Sequence, residues 1–182
     1  MCSSDLGDAE YLERELDTRH FDRFLDSIFA EVEPGDPSLA DAVRHLVMDE
    51  GKKPPHTGYV YAFAFEQLCR MVGESLPGDT FESVALDWPE FVSGGLRRLG
   101  APDAADLMAL TANYTPLPFP DPIDFPGIGC WTPDEVKAIR AWFDTADLSG
   151  EKMAAVRRSI EQIGTWVNAC TAPDEMLIGF LS

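Results

Sequence analysis

Apolar residues recur every three or four positions along most of this chain, which predicts a protein built mainly of helices. The most apolar stretch is residues 57–73, TGYVYAFAFEQLCRMVG. Read as a helix, it places Glu66, Gln67 and Arg70 on one narrow polar stripe and predicts burial of the rest, Tyr59 through Val72. Tyr59, Tyr61, Phe63 and Phe65 also alternate with Val60, Ala62 and Ala64, which is strand period. Helix is preferred, because the alanines favour it and the second half, EQLCRMV, has helical spacing alone. A helix apolar over most of its circumference belongs at the centre of a domain.

Residues 8–32 carry a helical stripe through Phe21, Phe24, Leu25, Ile28, Phe29 and Val32, with Leu12 and Leu16 continuing it upstream in a first helix that ends near Thr18. Pro34 and Gly35 stop it. Asp36 is then the expected cap of a helix with Pro37 at its first position and Leu39, Ala42, Val43, Leu46 and Val47 on its buried face. Gly73 closes the apolar helix, and Leu76-Pro77-Gly78-Asp79 reads as a turn. Asp87, Trp88 and Pro89 open a helix through Phe91, Val92, Leu96 and Leu99, closed by Gly100. Gly94 and Gly95 weaken its middle by about 1 kcal/mol each relative to alanine. Residues 104–114 suggest a short helix and an extended segment.

Residues 115–129, TPLPFPDPIDFPGIG, hold five prolines, which exclude regular helix and most sheet pairing. They are too apolar for a free linker, and an ordered strap across the helices explains both features. Thr132-Pro133-Asp134-Glu135 is a capping box with proline at the first helical position. Val136, Ile139, the stem of Arg140, Trp142 and Phe143 carry that helix to about residue 147. A last helix over 151–169 has Met153, Val156, Ile160, Ile163 and Val167 at core spacing, and residues 175–182 read as a strand. One strand needs a partner, expected near the N-terminus or in 108–114. The fold class is therefore α+β and predominantly α-helical: a single-domain helical bundle over residues 1–182, with a proline-rich strap and a small C-terminal strand element.

Charge narrows the function classes. Thirty-two acidic residues against 14 basic ones give a net charge of −18, spread along the whole chain. Such a field repels phosphate backbones and anionic membrane surfaces, so neither nucleic acid nor membrane is an expected partner. It would speed encounter with a basic protein, and an organism whose proteins are generally acidic is the plainer explanation of it. The apolar fraction of 45% is that of a globular protein, and no run approaches the roughly 20 apolar residues that span a bilayer. The four cysteines are scattered without a C-x-x-C pair, and no secretory signal is visible, which fits a reduced, cytoplasmic protein. Residues 2–6, CSSDL, coincide with one reading frame of a common sequencing adapter, so residues 1–6 are given no weight.

Catalytic signals are weak. His20, His45 and His56 stand apart, none at zinc spacing, and His45 is expected on the surface. No serine lies in G-x-S-x-G, and no cysteine lies in a nucleophile motif. Gly127-Ile128-Gly129 precedes a helix start, but Asp134 and Glu135 already hold the positive end of that helix, and a tight turn is the expected role of the glycines. No cofactor and no metal is expected. The aromatic residues read first as core and helix-end plugs. If they line a groove beneath the strap, the candidate binding surface is Phe119, Phe125, Trp131 and Trp88, with Trp131 and Phe125 its expected exposed members because loops carry function.

The segments GYVYAFAFEQLCRMVGESLP, PLPFPDPIDFPGIGCWTPDEV and MLIGFLS together resemble an uncharacterised family of bacterial proteins, a domain of unknown function seen in actinobacteria and other high-GC bacteria. The resemblance covers residues 57–182 and implies no activity and no site residues. Members begin with a short strand that this chain lacks. Two readings follow. The first is a non-catalytic cytoplasmic binding protein, an inhibitor or immunity-type partner of a basic protein. The alternative is an enzyme or small-molecule binder using an aromatic groove under the strap.

Overall fold

The computed structural model describes residues 35–48, 53–81, 87–112, 115–122 and 127–181, which comprise six α-helices and one two-stranded antiparallel sheet. The class is α+β and predominantly helical. Chain contacts group the described residues into two compact units, one running to Glu74 and including 115–122 and Gly127, the other spanning Ser75 to Ala112 and Ile128–Leu181. The helices expected over residues 8–32 lie outside the described residues.

In the first unit, α1 (Leu39–Met48) packs on α2 (Gly58–Val72). Leu39, Ala42, Val43 and Leu46 form the buried face of α1, as their spacing predicts. Its start is set by Ser38 rather than by Asp36. Ser38 Oγ accepts from the Asp41 N–H at 3.2 Å, while the Asp41 carboxylate accepts from Ser38 N–H at 3.2 Å and Ser38 Oγ at 2.8 Å, a reciprocal capping pair. Asp36 is drawn instead to His56 Nε2, 2.8 Å away. The apolar stretch of 57–73 is a helix, with Val60, Tyr61, Ala64, Phe65 and Leu68 buried. Its polar stripe is narrower than expected: Glu66 is buried and bonded by Arg70 at 2.7 Å, whereas Val72 is exposed.

The strap is ordered over 115–122 and lies on the first turns of α2. Phe119 packs on Phe65 with ring centroids 5.8 Å apart, and Lys53 Nζ donates to the Pro118 carbonyl at 3.0 Å. Gly58 makes the approach possible, since a Cβ there would collide with the Asp121 carbonyl oxygen and stand 2.6 Å from that of Pro120.

The second unit is built on α6 (Ala154–Ala169), against which α3 (Trp88–Arg98) and α5 (Pro133–Phe143) pack. Val156, Ile160, Ile163 and Val167 of α6 are fully buried, each contributing about 1.5–3 kcal/mol relative to an exposed side chain. Met153 is not part of this stripe: the helix begins one residue later, and Met153 is exposed. Gly95, which weakens α3 as an isolated helix, is where α3 meets α6; a Cβ there would stand 2.6 Å from Val156 Cγ1. The capping box of α5 forms as predicted, with Glu135 Oε2 accepting from Thr132 N–H at 2.7 Å.

The partner of the C-terminal strand β2 (Leu177–Leu181) among the described residues is β1 (Gly127–Trp131); of the two expected partners, the described part of 108–114 is helical and the N-terminus lies outside the described residues. Gly127 and Gly129 are thus strand residues, not the makings of a tight turn. Residues 108–114 supply α4 (Ala109–Ala112) instead, whose backbone lies against both strands. A Cβ on Gly129 would collide with the Ala109 carbonyl oxygen, and one on Gly179 with that of Leu110.

Gly58→Ala in the first unit and Gly129→Ala in the second are each expected to cost about 1–3 kcal/mol, because backbone rather than a flexible side chain must yield. Gly78→Ala, where nothing stands within 4 Å of the added carbon, is expected to change stability by about 0.5 kcal/mol or less. Urea unfolding followed by tryptophan fluorescence and far-UV circular dichroism measures all three. Trp88, Trp131, Trp142 and Trp166 all belong to the second unit, so fluorescence reports that unit. A single domain over residues 1–182 gives coincident transitions that either substitution moves; two transitions, each moved by its own substitution, would make the units separate domains.

Candidate functional site

Trp131 ends β1, just before Thr132 caps α5, and the strand's alternation turns its indole into the core. It is 0% exposed, and Nε1 donates to the Asp106 carbonyl at 3.2 Å. The expectation that Trp131 is an exposed groove residue is therefore corrected. Trp88, in the first turn of α3, is half-buried against the same core and donates from Nε1 to Ser159 Oγ at 3.3 Å. Phe119 is half-buried on Phe65 in the first unit. Phe125 lies outside the described residues. Each placed aromatic is thus explained by packing and by a satisfied N–H where it has one.

One use of the aromatic side chains was not anticipated. Residues 77–81 lie along α6, held by side chains at positions 159, 162 and 166 of that helix. Trp166 Nε1 donates to the Pro77 carbonyl at 2.6 Å, and Thr80 donates both its N–H and its hydroxyl to Gln162 Oε1. Ser159 Oγ donates to the Thr80 carbonyl, and Phe81 packs on Trp166 at 5.1 Å. The turn itself runs from Gly78 to Phe81, whose N–H donates to the Gly78 carbonyl at 2.7 Å, slightly later than predicted. The 3–4–7 spacing of Ser159, Gln162 and Trp166 signals one helix face, but not that a loop covers it.

Titratable groups in the interior are likewise engaged. His45, expected on the surface, is half-buried, with Nδ1 2.8 Å from the hydroxyl of the fully buried Tyr61. Burial, with the nearby Asp41 carboxylate, raises the Tyr61 phenol above its usual ionisation range. Burial also raises the thiols of Cys130 and Cys170, aided by Glu135 and Glu175 respectively, which disfavours the thiolate a nucleophile needs. Arg140 Nη1 donates to the Cys170 carbonyl, tying α5 to the end of α6.

Glu151, at the entry to α6, is buried and has a bond on each oxygen: Oε1 accepts from Met153 N–H at 2.9 Å and Oε2 from Arg98 at 2.6 Å. The backbone bond first, and Arg98 next, hold its carboxyl below the ordinary range. Among the described residues no buried side-chain nitrogen or oxygen lacks a partner, and no three His, Cys, Asp or Glu side chains gather as metal ligands would. No described helix is long and apolar enough to cross a membrane.

The surface is the contrast. Asp79, Asp103, Asp144 and Asp174 are exposed, and none enters any of the ion pairs of the described residues, which join Asp36 to His56, Glu66 to Arg70, Glu151 to Arg98 and Glu161 to Arg157. Exposed Arg97, Lys137, Lys152 and Arg158 are likewise outside those ion pairs, so the described surface carries unpaired charge of both signs, within a chain whose net charge is −18.

The family model of a domain of unknown function, DUF7691, matches residues 5–182. No curated protein and no solved structure matches.

Two measurements test this placement. Trp131→Ala is expected to cost about 3–5 kcal/mol, the loss of a buried large aromatic; a change within about 0.5 kcal/mol would return Trp131 to the surface. Glu151→Gln is expected to lower stability by roughly 1–3 kcal/mol at neutral pH. Because the folded carboxyl titrates below its ordinary value, its contribution is complete above the unfolded value of about 4.3 and is lost as pH falls through the folded one. The gap between wild type and Glu151→Gln should therefore narrow below about pH 4, read from urea midpoints at both pH values. A gap of equal size at both would mean that the carboxylate charge contributes nothing.

Proposed function

Since the chain belongs to the DUF7691 family, for which no activity guides the reading, we propose from its own residues that it is a non-catalytic protein-binding module, the inhibitor or immunity-type partner of a basic protein in the bacterial cytoplasm. The observation that carries this is the excess of negative charge, −18 overall, with exposed carboxylates that no cation of the described residues neutralises. Complementary charge accelerates encounter and selects against partners of like sign. The free thiols of Cys130 and Cys170 fit a reducing compartment. The rival reading, catalysis or small-molecule binding under the strap, has no comparable support: Trp131 is sealed in the core, and Phe119 is packed on Phe65.

The immobilised protein, exposed to lysate of its source organism, is expected to retain a basic protein at low salt and to bind it about tenfold or more weaker at roughly 0.3 M salt, where the Debye length falls to about 6 Å. Charge reversal of Asp79, Asp103, Asp144 and Asp174 to lysine should abolish retention. Asp79, Asp103 and Asp174 cap no α-helix, Asp144 closes α5 through its backbone N–H rather than its carboxylate, and none of the four pairs with a cation of the described residues. The fold should therefore survive, as thermal melting would verify. Retention unchanged by the reversal, or capture of acidic proteins only, would sink the proposal.

A further inference from the structure

We draw no further inference here: the strongest candidate, the exposed apolar side chain of Phe91 on α3, carries nothing because nothing in the structure shows what covers it.

Discussion

The second unit depends on a contact between backbones. The turn of α4 rests on the two-stranded sheet with no side chain between them, because the residues beneath it are Gly129 on one strand and Gly179 on the other. Two strands alone are marginal in water, and burial of a face against another element is what makes them persist. Here that element is a helix of four residues, too short to hold itself by its own hydrogen bonds. Sheet and helix therefore stabilise each other. Leu110 of α4 and Leu177 of β2 extend the contact into the main core. Once β1 is fixed, its last residue, Trp131, enters that core and the next, Thr132, stands where it caps α5.

The same economy of space governs α6. Gly95 lets α3 approach it, and Gly164 leaves room for the Phe143 ring of α5, where a Cβ would stand 3.2 Å from the ring. The helix propensity lost at each glycine, about 1 kcal/mol relative to alanine, is offset by closer packing across the contact. One flank of α6, that of Ser159, Gln162 and Trp166, is covered as well, by residues 77–81, and there these side chains find backbone partners. Among the described residues, each buried polar side-chain atom has a hydrogen-bond partner.

Much of this was legible in the sequence where local chemistry decides the outcome. The capping box at Thr132, the α2 helix and the buried stripe of α6 from Val156 to Val167 follow from spacing and terminal residues. What was not legible depends on residues distant in sequence. Ser38 and Asp36 are both good caps, and the choice fell to Ser38 because Asp36 meets His56, twenty positions away. The strand β1 was hidden because glycines reduce strand propensity, and their value appears only once the α4 backbone is seen against them. Trp131 follows a proline-rich segment and resembled a loop residue; only its pairing into the sheet turns it inward. In the candidate surface the aromatic chemistry was read correctly as apolar and wrongly as exposed at Trp131, because a sequence gives the polarity of a side chain without the neighbours that cover it.

Among the described acidic residues outside ion pairs, two physical groups contrast. Asp41 in the first turn of α1, Glu90 in that of α3, and Asp134 and Glu135 in that of α5 sit at positive helix ends, where each carboxylate contributes about 0.3–1 kcal/mol to local structure. Their acidity needs no partner outside the chain. Asp144 is the opposite case, placed at the C-terminal end of α5 where the helix is already negative. Asp79 and Asp174 lie in turns, with no cation paired to them among the described residues. Acids of this second group add self-repulsion without a compensating contact inside the fold. A basic partner would remove that repulsion on binding, so the acids that do least for the folded chain are the ones an electrostatic partner would use most.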